Sequence, residues 1–248
     1  MRALIKFENR GEVSLPIHYN HYVEAAIYNS LSPQLSDFLH KYGFEAGKRK
    51  FKLFTFSRIL GKYKVSGGRI RFSGDISLLV SSPIEGFIVD LVNGIMKRRE
   101  LRIGRTVLSV RSIYFPKPPE FKRKVLARTL SPITVYSTLL AGDGSKKTYY
   151  YSPFEKQFSE LISANALKKA SLLHKVNVKT GLILKPLKMK EVFLSYKGTV
   201  IRGWVGRFEL SGPITLIRIT YDAGLGSKNS EGFGMYEIIS ERAVKGGG

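Results

Sequence analysis

Four glycines set around a short polar run dominate the C-terminal part of this chain, in Tyr221-Asp222-Ala223-Gly224-Leu225-Gly226-Ser227-Lys228-Asn229-Ser230-Glu231-Gly232-Phe233-Gly234-Met235-Tyr236. Glycine reaches positive φ and lets another backbone approach closely. A loop built on Gly224, Gly226, Gly232 and Gly234 presents backbone amides in a concave row that suits phosphate oxygens. Lys228 adds a cation, and Asn229 and Ser230 add short polar groups. A surface turn between two buried elements would have the same composition. The spacing excludes two nucleotide-cofactor loops. Asn229 stands where a dinucleotide fingerprint needs its third glycine. Gly43-Phe44-Glu45-Ala46-Gly47-Lys48 is one residue short of a Walker A loop, with Arg49 in place of its Ser or Thr.

Other reactive side chains are few. There are no cysteines, so thiolate metal sites, disulfides and a cysteine nucleophile are all ruled out. His18, His21 and Glu24 recur every three residues, a spacing that on a helix would suit metal ligation. Pro16 and a helix start at Asn20 leave His18 ahead of that helix, so no metal site is expected. His174 is isolated, and no serine–histidine–acid set stands out. The Lys245-Gly246-Gly247-Gly248 tail is assigned no function.

With 41 Lys and Arg against 19 Asp and Glu, the 248-residue chain carries a formal charge of +22. Such an excess points to a polyanionic partner. No apolar run approaches the ~18 residues of a membrane span, and no signal-peptide core is present, so nucleic acid is favoured over a membrane in a cytoplasmic setting. The cations cluster at Lys48-Arg49-Lys50, Lys97-Arg98-Arg99, Lys122-Arg123-Lys124, Lys168-Lys169 and around Lys185, Lys188 and Lys190, several of them beside aromatics. Cationic grooves with aromatic platforms hold single-stranded RNA.

The elements that must position these groups follow from hydrophobic periodicity. A strand is expected at Met1 to Phe7, and Val13 to Ile17 leads into a helix capped by Asn20. Ser32-Pro33 restarts a short second helix, closed by Tyr42-Gly43. Strands are expected at Phe51 to Ser57 and Ile70 to Leu78, a helix at Pro83 to Met96, and a strand or bent pair at Leu101 to Phe115. The proline cluster Pro116-Lys117-Pro118-Pro119 marks a boundary, dividing residues 1–116 from residues 117–248. Beyond it, Val125 to Leu130 and Ile133 to Tyr136 are strand-like, and Ser152-Pro153 starts a helix through Phe154, Phe158 and Ile162. Long strands at Val176–Val192 and Thr199–Leu210 flank a turn at Ser195 to Gly198. Ile214 to Tyr221 suits helix or strand equally, and Phe233 to Ile239 is a last strand. Two successive β-α-β-β-α-β patterns predict an α+β fold of two tandem ferredoxin-like (RRM-like) domains ending in a glycine-rich loop. No RNP1 signature accompanies them.

Leu15-Pro16-Ile17-His18-Tyr19-Asn20, Ala26-Ile27-Tyr28-Asn29, Phe38-Leu39-His40, Lys52-Leu53-Phe54-Thr55-Phe56-Ser57, Leu130-Ser131-Pro132-Ile133-Thr134-Val135 and the terminal G-x-G … S-x-G-F-G-M occur in this order along nearly the whole chain. Together they resemble the CRISPR-associated endoribonucleases of the sixth Cas family, within the repeat-associated mysterious protein superfamily. The resemblance implies RNA cleavage without metal or other cofactor. In that chemistry a 2′-hydroxyl attacks the adjacent phosphorus and leaves a 2′,3′-cyclic phosphate and a 5′-hydroxyl. The implied partner is CRISPR repeat RNA, single-stranded or in a weak hairpin, with effector-complex subunits as further partners and a monomeric or homodimeric protein. A non-catalytic RNA-binding subunit of an effector complex shares the fold and the loop. The two readings differ at Tyr28, His40 and Lys52.

Internal transesterification needs a base, an acid and a cation for the phosphorane, and the resemblance assigns these to Tyr28, His40 and Lys52. On one straight helix Tyr28 and His40 would lie ~18 Å apart; the Ser32-Pro33 restart lets them meet. His40, close to a helix C-terminus where the dipole favours a cation, is the expected acid, and Tyr28 the base or hydroxyl orienter, with Lys52 lowering its pKa. The opposite assignment of His40 and Tyr28 stays open. Taken singly, Tyr28 would pass for a core aromatic, His40 for a surface histidine and Lys52 for a solvated lysine. The RNA-binding set comprises Gly224, Gly226, Lys228, Asn229, Ser230, Gly232 and Gly234 with Lys48, Arg49 and Lys50.

Overall fold

The structure, a computed structural model, describes residues 1–8, 11–47, 49–140, 142, 144–174, 178 and 180–239, with His174 described by its backbone alone. Lys48, the first residues of the strand expected at Val176, the His174 side chain and the Lys245–Gly248 tail lie outside what is described.

The first half runs β1 (Arg2–Phe7), β2 (Val13–Pro16), α1 (Asn20–Ser30), α2 (Pro33–Lys41), β3 (Phe44–Ala46), β4 (Arg49–Phe51), β5 (Thr55–Phe56), β6 (Leu60–Ser66), β7 (Arg69–Ser81), α3 (Glu85–Arg98), β8 (Glu100–Ile103) and β9 (Thr106–Tyr114). The second half runs β10 (Lys124–Thr129), β11 (Tyr136–Leu140), β12 (Lys146–Tyr150), α4 (Lys156–His174), β13 (Ile183–Tyr196), β14 (Thr199–Ser211), α5 (Ile214–Ala223), a 3₁₀ turn at Asn229–Glu231, and β15 (Tyr236–Ile238). Antiparallel pairing orders the first sheet β9-β1-β7-β6 and the second β15-β10-β14-β13. Both are the 4-1-3-2 arrangement of a ferredoxin-like unit. In each half helices cover one face of the sheet. Phe87, Ile88, Leu91 and Ile95 form the buried stripe of α3, and Phe158, Ile162, Ala166 and Ala170 that of α4. Among the described residues no helix is long and apolar enough to cross a membrane.

Several elements differ from expectation. Val13–Pro16 is a strand, paired with β7 beside β1. Phe51 to Ser57 is not a continuous strand. Leu53 has a φ of 53°, and Leu53 through Ser57 are buried in succession, where a half-buried strand would alternate. This segment is enclosed on both sides, and only Thr55–Phe56 pairs with β7. The hairpins β3–β4 and β11–β12 and the strand β6 have mostly exposed side chains, so no apolar alternation announces them. Ile133 makes a single bridge to Trp204. The helix expected from Ser152-Pro153 starts at Lys156, because the Glu155 carboxylate accepts from the Ser152 amide and the Tyr149 hydroxyl and holds a turn there; Phe154 is exposed ahead of it. Ile214 to Ala223 is helix, with Leu216, Ile217, Thr220 and Tyr221 buried. Asn20 does not cap α1, because its amide is drawn to the second half.

The halves are bonded directly to each other. Arg2, buried under the Tyr221 ring, donates from Nη2 to the carbonyls of Tyr221 and Tyr236. Asn20 Nδ2 donates to the Glu231 carbonyl at 3.0 Å and reaches that of Gly232, and Thr55 Oγ1 donates to the Phe233 carbonyl at 2.9 Å. The tip of the β13–β14 hairpin lies against α1: Tyr196 donates to the Glu24 carboxylate, and the Ser195 amide to His18 Nδ1.

Candidate active site and nucleic-acid interface

α1 ends at Ser30, and Leu31 and Ser32 are extended, with ψ of 159° and 149°. Pro33 then starts α2, which doubles back. The Tyr28 and His40 rings meet edge to face with centroids 6.4 Å apart. Lys52 Nζ donates to the His40 carbonyl at 3.2 Å. All three residues therefore come together. Tyr28 is half-buried with its ring against Phe54, Lys52 is half-buried in the irregular stretch after β4, and His40 is exposed on the last turn of α2.

The electrostatics correct one expectation. Tyr28 is pushed well above the ordinary tyrosine value, first by burial and then by the Glu24 carboxylate one turn earlier on α1. Lys52 is not among the causes, and the shift favours the protonated form of Tyr28. Lys52 is itself lowered by burial and by Lys50, with Glu24 acting in the opposite direction. His18 and His21 have different partners: His18 accepts from the Ser195 amide, while the His21 ring lies tilted against that of Tyr22. Among the described residues no cluster of three His, Asp or Glu could hold a metal ion.

The glycine-rich loop is knitted into the fold, and most of its amides are already used. Gly224, Leu225, Ser227, Glu231, Gly232 and Gly234 donate to carbonyls of the loop, of α5 or of the Pro132–Thr134 stretch. Three of the four glycine amides expected in an open row, those of Gly224, Gly232 and Gly234, are thus engaged within the fold. The glycines allow close packing: a Cβ on Gly232 would lie 2.4 Å from the Phe56 ring, and one on Gly224 2.5 Å from Asn229 Nδ2. Asn229 Nδ2 bonds the Leu225 and Phe233 carbonyls. Lys228 pairs with Glu231 at 3.0 Å.

Between the loop and the β4–β5 region lies a cavity of about 440 Å³. Arg49, Lys50, Lys52 and Lys228 bring four cations to its lining, with the Lys169 amine beside them, against the Glu231 carboxylate that Lys228 already pairs. Ser230 and Asn229 line it as well. Lys169, in the sequence part of a basic doublet, is 1% exposed. It bonds the Gly224 carbonyl and Asn229 Oδ1, each at 2.7 Å. The available signal was helical spacing, since Asn165 and Lys169 lie on the same side of α4 as the stripe Phe158, Ile162, Ala166 and Ala170. The meeting of Glu24 and Tyr196 has no local sequence signal, because it joins segments 172 residues apart.

Burial lowers Lys169 from 10.5 to about 7. Between those values the unfolded chain binds more protons than the folded one, so this group's contribution to stability increases with pH. Relative to Lys169→Met, the wild type should gain about 2 kcal/mol of unfolding free energy from pH 7 to pH 9 in urea titrations. A difference independent of pH would mean that Lys169 keeps its proton throughout.

Comparison with known proteins places this architecture. A family model described as CRISPR-associated protein Cas6, N-terminal, matches residues 14–114, and one described as CRISPR associated protein Cas6, C-terminal, matches residues 116–238. The chain is 29% identical to CRISPR-associated endoribonuclease Cas6 1 of Methanocaldococcus jannaschii, over 99% of this chain and 95% of that protein. It superposes with a TM-score of 0.86 and 27% identity on a solved structure described as that of a Cas6-related gene from Pyrococcus furiosus, covering 97% of this chain and 99% of the other. A structure described as an RAMP protein binding different RNA substrates gives 0.83 and 27%, over 97% and 100% of the two chains. The two-sheet fold and the two matched models agree along the chain, which belongs to the Cas6 family of CRISPR-associated proteins.

Proposed function

We propose that this protein is an endoribonuclease that cuts precursor CRISPR RNA within its repeats, with Tyr28, His40 and Lys52 acting on the scissile phosphate. The observation that carries the reading is the convergence of these three side chains at the border of a cationic cavity between the halves. The RNA 2′-hydroxyl attacks the adjacent phosphorus, the bond to the 5′-oxygen breaks, and His40 gives that oxygen its proton while the 2′ proton passes to solvent. Lys52 offsets charge building on the phosphorane. Tyr28, keeping its proton, orients the attacking hydroxyl by hydrogen bonding. Lys50, Arg49 and Lys228 hold flanking phosphates, and the glycines fix the shape of the wall that carries Lys228 and Ser230.

A panel of repeat RNAs carrying single 2′-deoxy substitutions tests the reaction type. One substitution, just 5′ of the cut, should abolish cleavage while binding is retained. Uniform cutting across the panel would contradict 2′-hydroxyl attack. Tyr28→Phe should slow cleavage about tenfold to a hundredfold and leave the shape of the pH–rate profile between pH 7 and 10 unchanged. Loss of an alkaline rise in the variant would instead make Tyr28 the base.

A further inference from the structure

Asn165 sits on α4 one turn before Lys169, lines the cavity and is 6% exposed. Its Oδ1 has no hydrogen-bond partner among the described residues. A buried amide oxygen without a donor is destabilising, and phosphate binding would not relieve it, because phosphate oxygens are acceptors too. Nor does Lys169, whose two bonds go to Gly224 and Asn229. The group that would satisfy this oxygen is a hydrogen-bond donor, which in RNA means a base N–H or a sugar hydroxyl. Phe51 and Tyr136, both partly exposed, give the same cavity flat apolar faces, and Lys52 and Lys228 bring cations. An amide at depth, aromatic walls and cations together match one unstacked nucleotide: hydrogen bonding at its base edge, apolar contact at its face, charge at its phosphate.

We propose that this cavity is a base-reading subsite. It receives one nucleobase of the bound RNA, and Asn165 Oδ1 accepts a hydrogen bond from that base's exocyclic amine, so the base is adenine, cytosine or guanine. The inference rests on the RNA-processing reading. Because Lys52 both lines the cavity and bonds the His40 carbonyl, the base read here lies beside the scissile phosphate, and Asn165 helps set where the repeat is cut.

The test uses the full chain, wild type and Asn165→Ala, against repeat RNAs in which the exocyclic amine is deleted at one nucleotide at a time. The wild type should show one position near the cut where amine deletion lowers cleavage efficiency about tenfold. Asn165→Ala should lose a similar factor on the natural repeat and be indifferent to the amine at that position, with a melting temperature no lower than the wild type's. Equal sensitivity of both proteins at every position, or no sensitive position in the wild type, would overturn the subsite while leaving the nuclease intact. A wild-type protein that neither binds nor cuts the repeat would overturn the RNA-processing reading itself, and the subsite with it.

Discussion

His40→Ala is expected to lower cleavage of repeat RNA about a thousandfold, within the range for loss of a general acid, and to leave affinity for the RNA nearly unchanged. The structure makes this separation clean. His40 is exposed, and its ring contact is an edge-on meeting with Tyr28. Lys52 is anchored by the His40 backbone carbonyl and not by the ring, so the cation stays in place when the imidazole is removed. Single-turnover cleavage at saturating protein, with binding measured in parallel, reads the two effects separately. A wild-type rate would remove His40 from the reaction. Parallel loss of binding and cleavage would make it a structural residue.

Gly232→Ala is expected to destabilise the protein by about 4 kcal/mol, near the upper range for single substitutions. Gly232 has a φ of 85°, and its Cβ would meet two Phe56 ring carbons at 2.4 and 2.6 Å and Asn20 Nδ2 at 2.8 Å. Phe56 is 1% exposed on β5, so the ring has nowhere to retreat, and Asn20 is the residue that ties α1 to the loop. Gly198→Ala serves as the control. Its φ of 81° is similar, but its Cβ would meet nothing within 4 Å, so only the left-handed strain of about 1–2 kcal/mol should appear. Denaturant titration of both variants measures the difference; equal losses would show that the loop does not press on Phe56.

The ferredoxin-like order was legible because its long members repeat their apolar residues cleanly, as in α3 and in the buried Ala3, Ile5 and Phe7 of β1. The restart at Ser32-Pro33 was legible from proline chemistry, and with it the approach of Tyr28 to His40. The surroundings of these residues were not. Glu24 stands out in the sequence only beside His18 and His21; that it raises Tyr28 and meets Tyr196 emerges only in the fold. Glycine spacing suggested open amides, but pairing partners from Pro132 to Thr134 come from far along the chain. For Asn165 and Lys169, helical spacing signals burial on the apolar side of α4, but nothing local reveals their neighbour, a loop some 60 residues later.

The most direct test of the account is the chemistry of the RNA ends. Incubated with end-labelled repeat RNA in excess EDTA, the protein should make a single cut that leaves a 2′,3′-cyclic phosphate on the upstream fragment and a 5′-hydroxyl on the downstream one. Cleavage that stops in EDTA, or products ending in 3′-hydroxyl and 5′-phosphate, would contradict it.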